Sequence, residues 1–314
     1  MFSLAELEAA ARIVYAAMPP TPQYAWPLLG ERAGCEVWVK HENHTPTGAF
    51  KVRGGLVYFE RRRPPRGVIS ATRGNHGQSL AFAGRRAGIP VTIVVPQGNS
   101  VEKNAAMRAF GAELIEHGQD YEEARVESYR LAEGKGLEIV PPFHVDLVLG
   151  VATYALELFR AAADLHAVYV PIGMGSGICG VIRTRDLLGL RTQIVGVQSE
   201  RAASYALSFA AGKVVTTESA DTFADGMATR VPDAQALEII RKGAERIVTV
   251  SEEEIADAMR AFFTDTHNIA EGAGAAPLAA LMKEREVMRG RKVGLILSGG
   301  NIDLAVFREV IAAA

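Results

Sequence analysis

The residue in this sequence that is best suited to covalent chemistry is a lysine between apolar neighbours. Lys51 lies between Phe50 and Val52 and follows a turn signal, Pro-Thr-Gly, at residues 46–48. Apolar surroundings disfavour the charged ammonium and lower the pKa of a lysine, which makes its amine nucleophilic. Such an amine can form a Schiff base with an aldehyde cofactor. Most lysines are solvated surface groups, so this interpretation requires that the rest of the chain supply a cofactor site.

A glycine-rich stretch offers a second chemical feature, a site for an anion. Residues 173–180 read Gly-Met-Gly-Ser-Gly-Ile-Cys-Gly and separate an apolar run from a helical one. Backbone N–H groups at a helix N-terminus bind phosphate, and glycines let the backbone approach it closely. Gly175, Gly177 and Gly180 also satisfy the dinucleotide pattern G-x-G-x-x-G, and Glu200 lies near the position of a ribose-binding acid. The stretch therefore predicts a phosphate site, a nicotinamide site or a plain tight turn.

Two further turns carry polar groups at the ends of predicted strands. Residues 70–77 place Thr72, Asn75 and His76 where a strand gives way to a helix. Their hydroxyl, amide and imidazole groups could hold a carboxylate or a phenolic oxygen, or could form an N-cap cluster with a structural histidine. Ser298 follows the most apolar run of the chain, in Ser-Gly-Gly-Asn. Ligands of open α/β sheets bind beyond the carboxyl ends of strands, so Ser298 could meet one, although a plain turn is the alternative.

The elements that must position these groups alternate between strand and helix. Apolar runs predict strands at 36–40, 67–70, 91–95, 112–115, 138–140, 167–171, 193–198, 247–250 and 293–297, with helical patterns between most of them. This alternation indicates βαβ units and parallel sheets in an α/β fold. A loop is predicted from Thr21 to the strand at 36–40. Residues 199–246 are predicted to mix helices with an exposed loop near 222–230, and Ser251 to Glu254 to form a capping box. A length of 314 residues favours two domains.

Composition excludes several classes of protein. The chain is 48% hydrophobic with a net charge of −2, which is ordinary for a globular domain and gives no basic surface for nucleic acid. Two cysteines exclude a disulfide framework and a thiolate metal cluster. The N-terminus lacks a basic segment before an apolar core, so it is not a signal peptide, and no apolar run approaches the roughly 20 residues that span a bilayer. A reduced, cytoplasmic location is expected.

Together these stretches resemble the tryptophan synthase β-like group of pyridoxal-phosphate enzymes (fold type II), in its threonine/serine dehydratase and serine racemase branch. The resemblance is carried by residues 46–54, 74–77, 171–177, 270–275 and 298–301, and it covers almost the whole chain. It implies two α/β domains, each a mostly parallel twisted sheet with helices on both faces. A large domain would comprise residues 1–51 and 141–314, and a small inserted domain residues 52–140. Pyridoxal 5'-phosphate would bind in the cleft between them, and a homodimer is expected.

The resemblance also implies a role for each chemical residue. Lys51 would carry the Schiff base, Phe50 would pack against the pyridine ring, and Asn75 would donate to the phenolic oxygen. The cofactor phosphate would bind the glycine loop, formed by Gly173, Met174, Gly175, Ser176 and Gly177. Ser298 would face the pyridine nitrogen. The substrate would contact Thr72, Arg73, Asn75 and His76.

Ser298 and Arg73 bear on the reaction that the resemblance implies. A hydroxyl at Ser298 does not force protonation of the pyridine nitrogen, so the ring is a weaker electron sink and elimination of a β-leaving group is favoured. Arg73 replaces the serine that serves racemases as acid and base, and an arginine stays protonated. It could instead bind an acidic or bulky substrate group, or point to solvent. Gln198 and Ser204 fall where the racemase branch has metal-binding carboxylates, so no divalent cation is expected there.

These features predict an ammonia-lyase that removes water and ammonia from a β-hydroxy amino acid. Threonine, serine and 3-substituted serines such as hydroxyaspartate or phenylserine are the candidate substrates. An amino-acid racemase or a β-replacement synthase of the same fold remains an alternative. More distant alternatives are an NAD(P)-dependent dehydrogenase and a non-enzymatic binding module. The sequence lacks the C-terminal regulatory domain of biosynthetic threonine dehydratases, so feedback by isoleucine is not expected.

Overall fold

A computed structural model describes residues 1–162 and 164–313, and within them ten strands form two sheets. The strands are β1 (Gln23–Ala25), β2 (Glu36–His41), β3 (Val68–Ala71), β4 (Val91–Val95), β5 (Glu113–Glu116), β6 (Glu138–Ile139), β7 (Ala167–Pro171), β8 (Gln193–Ser199), β9 (Arg246–Val250) and β10 (Lys292–Leu297). The first sheet has the order β1-β2-β10-β7-β8-β9 and the second β5-β4-β3-β6. All neighbouring strands are parallel except β1 and β2.

Helices connect the parallel strands, as the βαβ pattern predicts. They are α1 (Leu4–Tyr15), α2 (Pro27–Ala33), α3 (Lys51–Arg62), α4 (Asn75–Ala87), α5 (Val101–Ala109), α6 (Tyr121–Lys135), α7 (Val145–Ala161), α8 (Ser176–Leu187), α9 (Ser204–Ala211), α10 (Ala234–Gly243), α11 (Glu252–Thr266), α12 (Gly272–Lys283), α13 (Arg285–Met288) and α14 (Leu304–Ala312). The α/β fold is therefore confirmed. The predicted capping box is present at the start of α11, where Ser251 and Glu254 bond each other's backbone N–H groups.

A buried helix layer joins the two sheets. Helix α7 is buried along almost its whole length and packs between α3 and α8. Helix α3 also packs on α4, which lies against β4 of the second sheet. The strands of the second sheet fall between residues 68 and 139, inside the range given to the small domain. The domain boundaries themselves stay a prediction.

Two details differ from the sequence prediction. The segment before β2, predicted as a loop, contains the short strand β1 and helix α2. The segment near 222–230, predicted as exposed, is largely covered: Ala224 and Met227 are fully buried, and Thr229 is 6% exposed. It contains a single 3-10 turn, Asp225–Met227, which packs against α12. The prediction of exposure was wrong for Ala224 and Met227 because their apolar side chains pack into the core beside α12, whereas Gly226 and Arg230 are exposed. No helix among the described residues is long and apolar enough to cross a membrane.

Candidate active site

The Lys51 loop and the Ser298 turn are held together at the carboxyl edge of the first sheet. Strands β2 and β10 are parallel neighbours, so the segments that follow them leave the same edge. The N–H of Phe50 donates to the carbonyl oxygen of Ser298 at 3.0 Å, and that of Gly300 donates to Gly48 at 2.9 Å. Ala49 and Gly299 form an isolated bridge between these two bonds. Sheet register therefore brings Lys51 and Ser298 into one site.

Lys51 has the electrostatic properties of a nucleophile. It is the first residue of α3, and burial lowers its pKa from 10.5 to about 8, although the charge of Glu271 opposes the change. Its Nζ atom lies 4.9 Å from the ring centroid of Phe50, which packs edge-on against Tyr154 at 5.9 Å. A lysine with this pKa carries a substantial neutral fraction near neutral pH. The predicted reactivity of its amine has a physical basis.

The glycine loop presents open backbone donors. Gly175, with φ of +94°, is the N-cap of α8 and makes no side-chain cap bond, so the N–H groups of the first turn are free for an anion. At Gly173 a Cβ atom would lie 2.2 Å from the carbonyl oxygen of Gly226, so only glycine fits there. Tyr205 donates to the carbonyl oxygen of Met174 at 3.0 Å and so holds the loop in place. A Cβ on Gly177 would contact Phe50 at 3.7 Å, which puts this anion site beside the Lys51 loop.

Asn75 connects the second sheet to the first. It begins α4, directly after the turn that follows β3. Its Nδ2 donates to both carboxylate oxygens of Glu271, at 2.8 and 3.1 Å, and its Oδ1 accepts from Asn301 Nδ2 at 2.9 Å. Glu271 is the N-cap of α12, and Asn301 follows β10. The structure thus brings the predicted Asn75 to the same place as Lys51 and Ser298.

The other residues of the Asn75 turn differ in what they can contact. His76 is 5% exposed, and its Nε2 atom has no hydrogen-bond partner among the residues that the structure describes. Burial, aided by the charge of Lys51, lowers the pKa of His76 to about 3. A neutral imidazole with an unpartnered buried nitrogen is suited to a polar ligand. The Thr72 hydroxyl accepts from the N–H of Gly74 at 3.1 Å, which is the local cap considered as the alternative. Arg73 is exposed, and its role as a substrate contact stays a prediction.

Three charged residues around Asn75 make contacts that sequence reasoning missed. Glu271 is buried, and burial raises its pKa to about 7 against the opposing charge of Lys103. The Nζ atom of Lys103 lies 3.9 Å from Glu271 and bonds Asp225 at 2.5 Å. Glu271 entered the sequence analysis only inside a family motif. Asp225 belongs to a loop, residues 225–229, that resembles a family segment near the active site, but the sequence assigned no role to it. Lys103 gave no signal, because nothing in its local sequence shows which distant carboxylate it meets.

A second buried cluster of charged residues, which the sequence did not predict, stabilises α3, the helix that begins with Lys51. The guanidinium of Arg53 is fully buried and bonds Glu42 and Glu157, each at 2.7 Å. Lys40 bonds Glu157 at 2.5 Å, so two cations and two anions balance. These residues come from α3, β2, the turn after β2, and α7. The cluster therefore ties the beginning of α3, two residues after Lys51, to the first sheet and to α7.

The two positions considered for a cation, Gln198 and Ser204, both make local hydrogen bonds. Gln198 Oε1 accepts from the N–H of Ala206 at 2.9 Å, and the hydroxyl of Ser204 donates to the carbonyl oxygen of Thr229 at 2.7 Å. Both side chains are engaged in local bonds, and neither carries a carboxylate. That no divalent cation binds there stays a prediction.

The described residues fit pyridoxal phosphate. A lysine with a lowered pKa suits a Schiff base, and the uncapped N-terminus of α8 suits a phosphate. An amide donor at Asn75 and the buried hydroxyl of Ser298 suit the oxygen and the nitrogen of a pyridine ring. Glu200, which a nicotinamide site would use for ribose, is exposed and pairs with Lys283 at 3.3 Å.

Comparisons with known proteins agree with this fit. A family model described as "Pyridoxal-phosphate dependent enzyme" matches residues 14–299. An L-threonine ammonia-lyase of Thermotoga maritima is 34% identical over 315 residues, which cover 99% of this chain and 78% of that protein. An L-threo-3-hydroxyaspartate ammonia-lyase of a Pseudomonas species is 32% identical over 295 residues, covering 93% of this chain and 92% of that one. The structure of maize serine racemase matches with a TM-score of 0.91 at 25% identity, covering 99% of this chain and 97% of the other.

Proposed function

Because the chain belongs to the pyridoxal-phosphate dependent enzymes, we propose that it is an ammonia-lyase that converts a β-hydroxy amino acid into a 2-oxo acid and ammonia. The observation that carries the proposal is the buried Lys51, whose lowered pKa suits an amine that both bonds the cofactor and takes a proton. The family match also supports the interpretation of the glycine loop as a site for the phosphate of pyridoxal phosphate, in preference to a dinucleotide. The dehydrogenase alternative is therefore set aside.

Each residue of the site would hold one part of the cofactor. Lys51 would bond its aldehyde carbon, the glycine loop its phosphate, Asn75 its phenolic oxygen and Ser298 its pyridine nitrogen. When bound, the cofactor withdraws electrons from the α-carbon of the substrate and so makes its α-proton acidic.

Lys51 is the general base of the proposed reaction. When it is not bonded to the cofactor, the Nζ atom of Lys51 would be neutral and could remove the α-proton of the substrate. A pKa of about 8 suits this task, because such a base is partly unprotonated near ambient pH. The α-proton that Lys51 takes balances the proton that the departing β-hydroxyl requires, so one molecule of water would be eliminated. The released enamine takes up one water, so the net products are a 2-oxo acid and ammonia.

The substrate carboxylate has a natural position at the beginning of α4. Gly74, the N-cap of this helix, makes no side-chain cap bond, so N–H groups of the first turn are open to an anion. The unpartnered Nε2 of His76 supplies a further polar contact if its tautomer carries the proton there. A carboxylate held here would orient the α-proton relative to Lys51.

The activity can be tested directly with the purified protein and added pyridoxal phosphate. We expect a visible absorption band of a protein-bound Schiff base that borohydride removes. Ammonia and 2-oxo acid should appear in equal amounts from one or more of L-threonine, L-serine and L-threo-3-hydroxyaspartate. Lys51→Ala should abolish the band and the activity, whereas Lys213→Ala, at an exposed lysine, should change neither. A protein without the band, or with the band but without 2-oxo acid from any β-hydroxy amino acid, would refute the proposal.

A racemase is the second candidate, because the structure matches that of maize serine racemase. Racemisation requires an acid on the face of the substrate opposite Lys51. Arg73 stands in place of the serine that serves racemases as this acid, and a guanidinium does not act as a proton donor of this kind. Incubation of L-serine and L-threonine in deuterated water separates the two reactions. We expect deuterated 2-oxo acid and no inverted amino acid, and inverted, α-deuterated amino acid would instead identify a racemase.

We further propose a homodimer in the cytoplasm. Cys35 and Cys179 are free and buried, which agrees with a reducing compartment. Strand β1 leaves one edge of the first sheet open, and nearby Tyr24 and Leu28 are about half exposed, at 52% and 51%. A second copy could cover this edge. Light scattering of the purified protein and fractionation of cells that produce it test the two points.

A further inference from the structure

We propose that Asn301 and Glu271 are positioning residues, which hold the side-chain amide of Asn75 in one of its two possible orientations. In that orientation the nitrogen of Asn75 faces Glu271, its oxygen faces Asn301, and an N–H group remains to donate to the phenolic oxygen of the cofactor. This inference rests on the proposed function, because it concerns how the same site presents Asn75.

The direction of the hydrogen bonds follows from groups whose roles are not in question. The carbonyl oxygen of Thr47 can only accept, so the atom of Asn301 that lies 2.8 Å from it is the amide nitrogen. The same nitrogen lies 2.9 Å from Asn75, whose facing atom must then be the oxygen. The other end of the Asn75 amide is therefore its nitrogen, which meets the carboxylate of Glu271. A backbone carbonyl and a carboxylate thus determine the orientation from opposite ends.

The position of Asn301 depends on a close fit with the Lys51 loop. Gly48 has φ of +68°, and a Cβ atom built there would lie 2.4 Å from Asn301 Oδ1. Only glycine accepts both this backbone conformation and this contact. The N–H of Gly300 bonds the carbonyl oxygen of Gly48 at 2.9 Å and closes the arrangement. Asn301 is therefore held by the same loop that carries Lys51.

The negative charge of Glu271 is stabilised by a nearby cation, Lys103. Lys103 Nζ lies 3.9 Å from Glu271 Oε2, and Lys103 is itself held by Asp225. The titratable groups around the Glu271 carboxylate are thus Lys51 and Lys103, which favour its ionised form, and Asp225, which opposes it. Burial raises the pKa of Glu271 to about 7, so above this pH the carboxylate only accepts hydrogen bonds and can meet the nitrogen of Asn75 and not its oxygen.

The orientation matters because the two ends of an amide have opposite effects on an anionic oxygen. A nitrogen that donates to the phenolic oxygen stabilises its negative charge and lowers the pKa of the Schiff base that shares it. A reversed amide would place a carbonyl oxygen against that oxygen and raise this pKa. The Nδ2 atom of Asn75 has two hydrogens, and one can serve both contacts to Glu271, which leaves the other for the cofactor.

The test is a pH titration of the visible band of the holoenzyme. Asn301→Asp places acceptors against two acceptors, the Thr47 carbonyl and Asn75 Oδ1, and so opposes the amide orientation that Glu271 alone then favours. We expect the apparent pKa of the Schiff base to rise by about 1–2 pH units, the effect of one lost hydrogen bond to a charged group. Asn301→Ala removes the donor without adding a charge, and its rise should have the same sign and be smaller. Asn104→Asp is the control, because its Oδ1 already accepts from Asn99 and can continue to do so.

A double variant separates positioning from simple charge. In an Asn75→Ala background the amide that Asn301 would orient is absent. Asn301→Asp should therefore shift the pKa of the Schiff base far less in this background than in the otherwise unsubstituted protein. An equal shift in both backgrounds, or no shift for Asn301→Ala, would overturn the inference. If Asn301→Asp does not fold, Asn301→Ala still decides. A band that is present but unmoved refutes only this inference, whereas a protein that never forms the band refutes the proposed function.

Discussion

Lys51 should destabilise the cofactor-free protein at neutral pH, and Lys51→Met should reveal by how much. The native environment lowers the pKa of this lysine from 10.5 to about 8, a difference of roughly 2.5 units. At 1.36 kcal/mol per unit, the buried ammonium reduces the free energy of unfolding by roughly 3 kcal/mol when both the native and the unfolded chain are protonated. Methionine keeps much of the apolar stem and removes the charge.

The sign of the pH dependence follows from the two pKa values. Below pH 8 both states hold the proton, and the whole penalty is present. Between pH 8 and 10.5 the unfolded chain binds more protons than the native one, so the stability of the unsubstituted protein rises with pH. Above 10.5 both states are neutral and the penalty is gone. The advantage of Lys51→Met should therefore shrink by roughly 3 kcal/mol across this window.

Urea unfolding of both apoproteins at a series of pH values measures this difference. Lys213→Met, at an exposed lysine, provides the control, and its difference from the unsubstituted protein should stay constant across the window. If the difference in free energy of unfolding between Lys51→Met and the unsubstituted protein is equally constant across this pH range, the ammonium of Lys51 is not desolvated. The assignment of Lys51 as the base would then lose its physical support.

Three other substitutions test other parts of the site. In the apoprotein, burial raises the pKa of Glu271 from 4.5 to about 7, so the native state holds that proton more tightly than the unfolded chain. The free energy of unfolding should therefore fall as pH rises through this range. Glu271→Gln should remove this fall, which urea unfolding measures. Gly173→Ala drives a methyl group against the carbonyl oxygen of Gly226. It should weaken cofactor binding at least tenfold, which titration with pyridoxal phosphate measures. It should also lower the free energy of unfolding by about 1–3 kcal/mol, which urea unfolding measures. Arg53→Met leaves the buried carboxylates of Glu42 and Glu157 with Lys40 as their remaining cation. The free energy of unfolding, measured by thermal unfolding, should fall by about 3–5 kcal/mol.

Each of these has a matched control in the chain. Glu218→Gln, at an exposed carboxylate, should leave the pH dependence unchanged. Gly134→Ala, in the exposed part of α6 where a methyl group meets nothing, should stabilise the protein by about 0.5–1 kcal/mol. Arg289→Met breaks a pair with Glu286 in which both side chains are exposed, and it should cost less than about 1 kcal/mol. Equal effects of Arg53→Met and Arg289→Met would contradict the importance assigned to the buried cluster.

The sequence predicted best those strands and helices that depend on a local pattern of residues. Strands β4 and β7 occupy the predicted residues 91–95 and 167–171, because a parallel strand covered on both faces is a continuous apolar run. Helix α2 was missed although its signals were present: Pro27 stands at its first position and Gly34, with φ of 69°, ends it. Strand β1 has three residues, too few for a periodic pattern.

The contacts among charged groups could not be predicted in the same way. Asn75 meets Glu271 and Asn301, and Arg53 meets Glu157, across long stretches of chain. Which residues meet depends on the order of strands in each sheet and on the packing of α7, and no local spacing encodes either. The residue types that do chemistry were visible in the sequence, whereas the groups that orient them and tune their charge became visible only in the fold.

The buried cluster around Arg53 also restricts how the two sheets can move relative to each other. If the proposed cleft between the two domains opens and closes, the chain must bend at some point between the sheets. A hinge at residue 52 would pull Arg53 away from Glu42 and Glu157 and would separate buried charges, at a cost of several kcal/mol. A hinge beyond α3 would leave these pairs intact. In such a motion Lys51 stays with the first sheet, and Asn75, carried by the second sheet, approaches or leaves it.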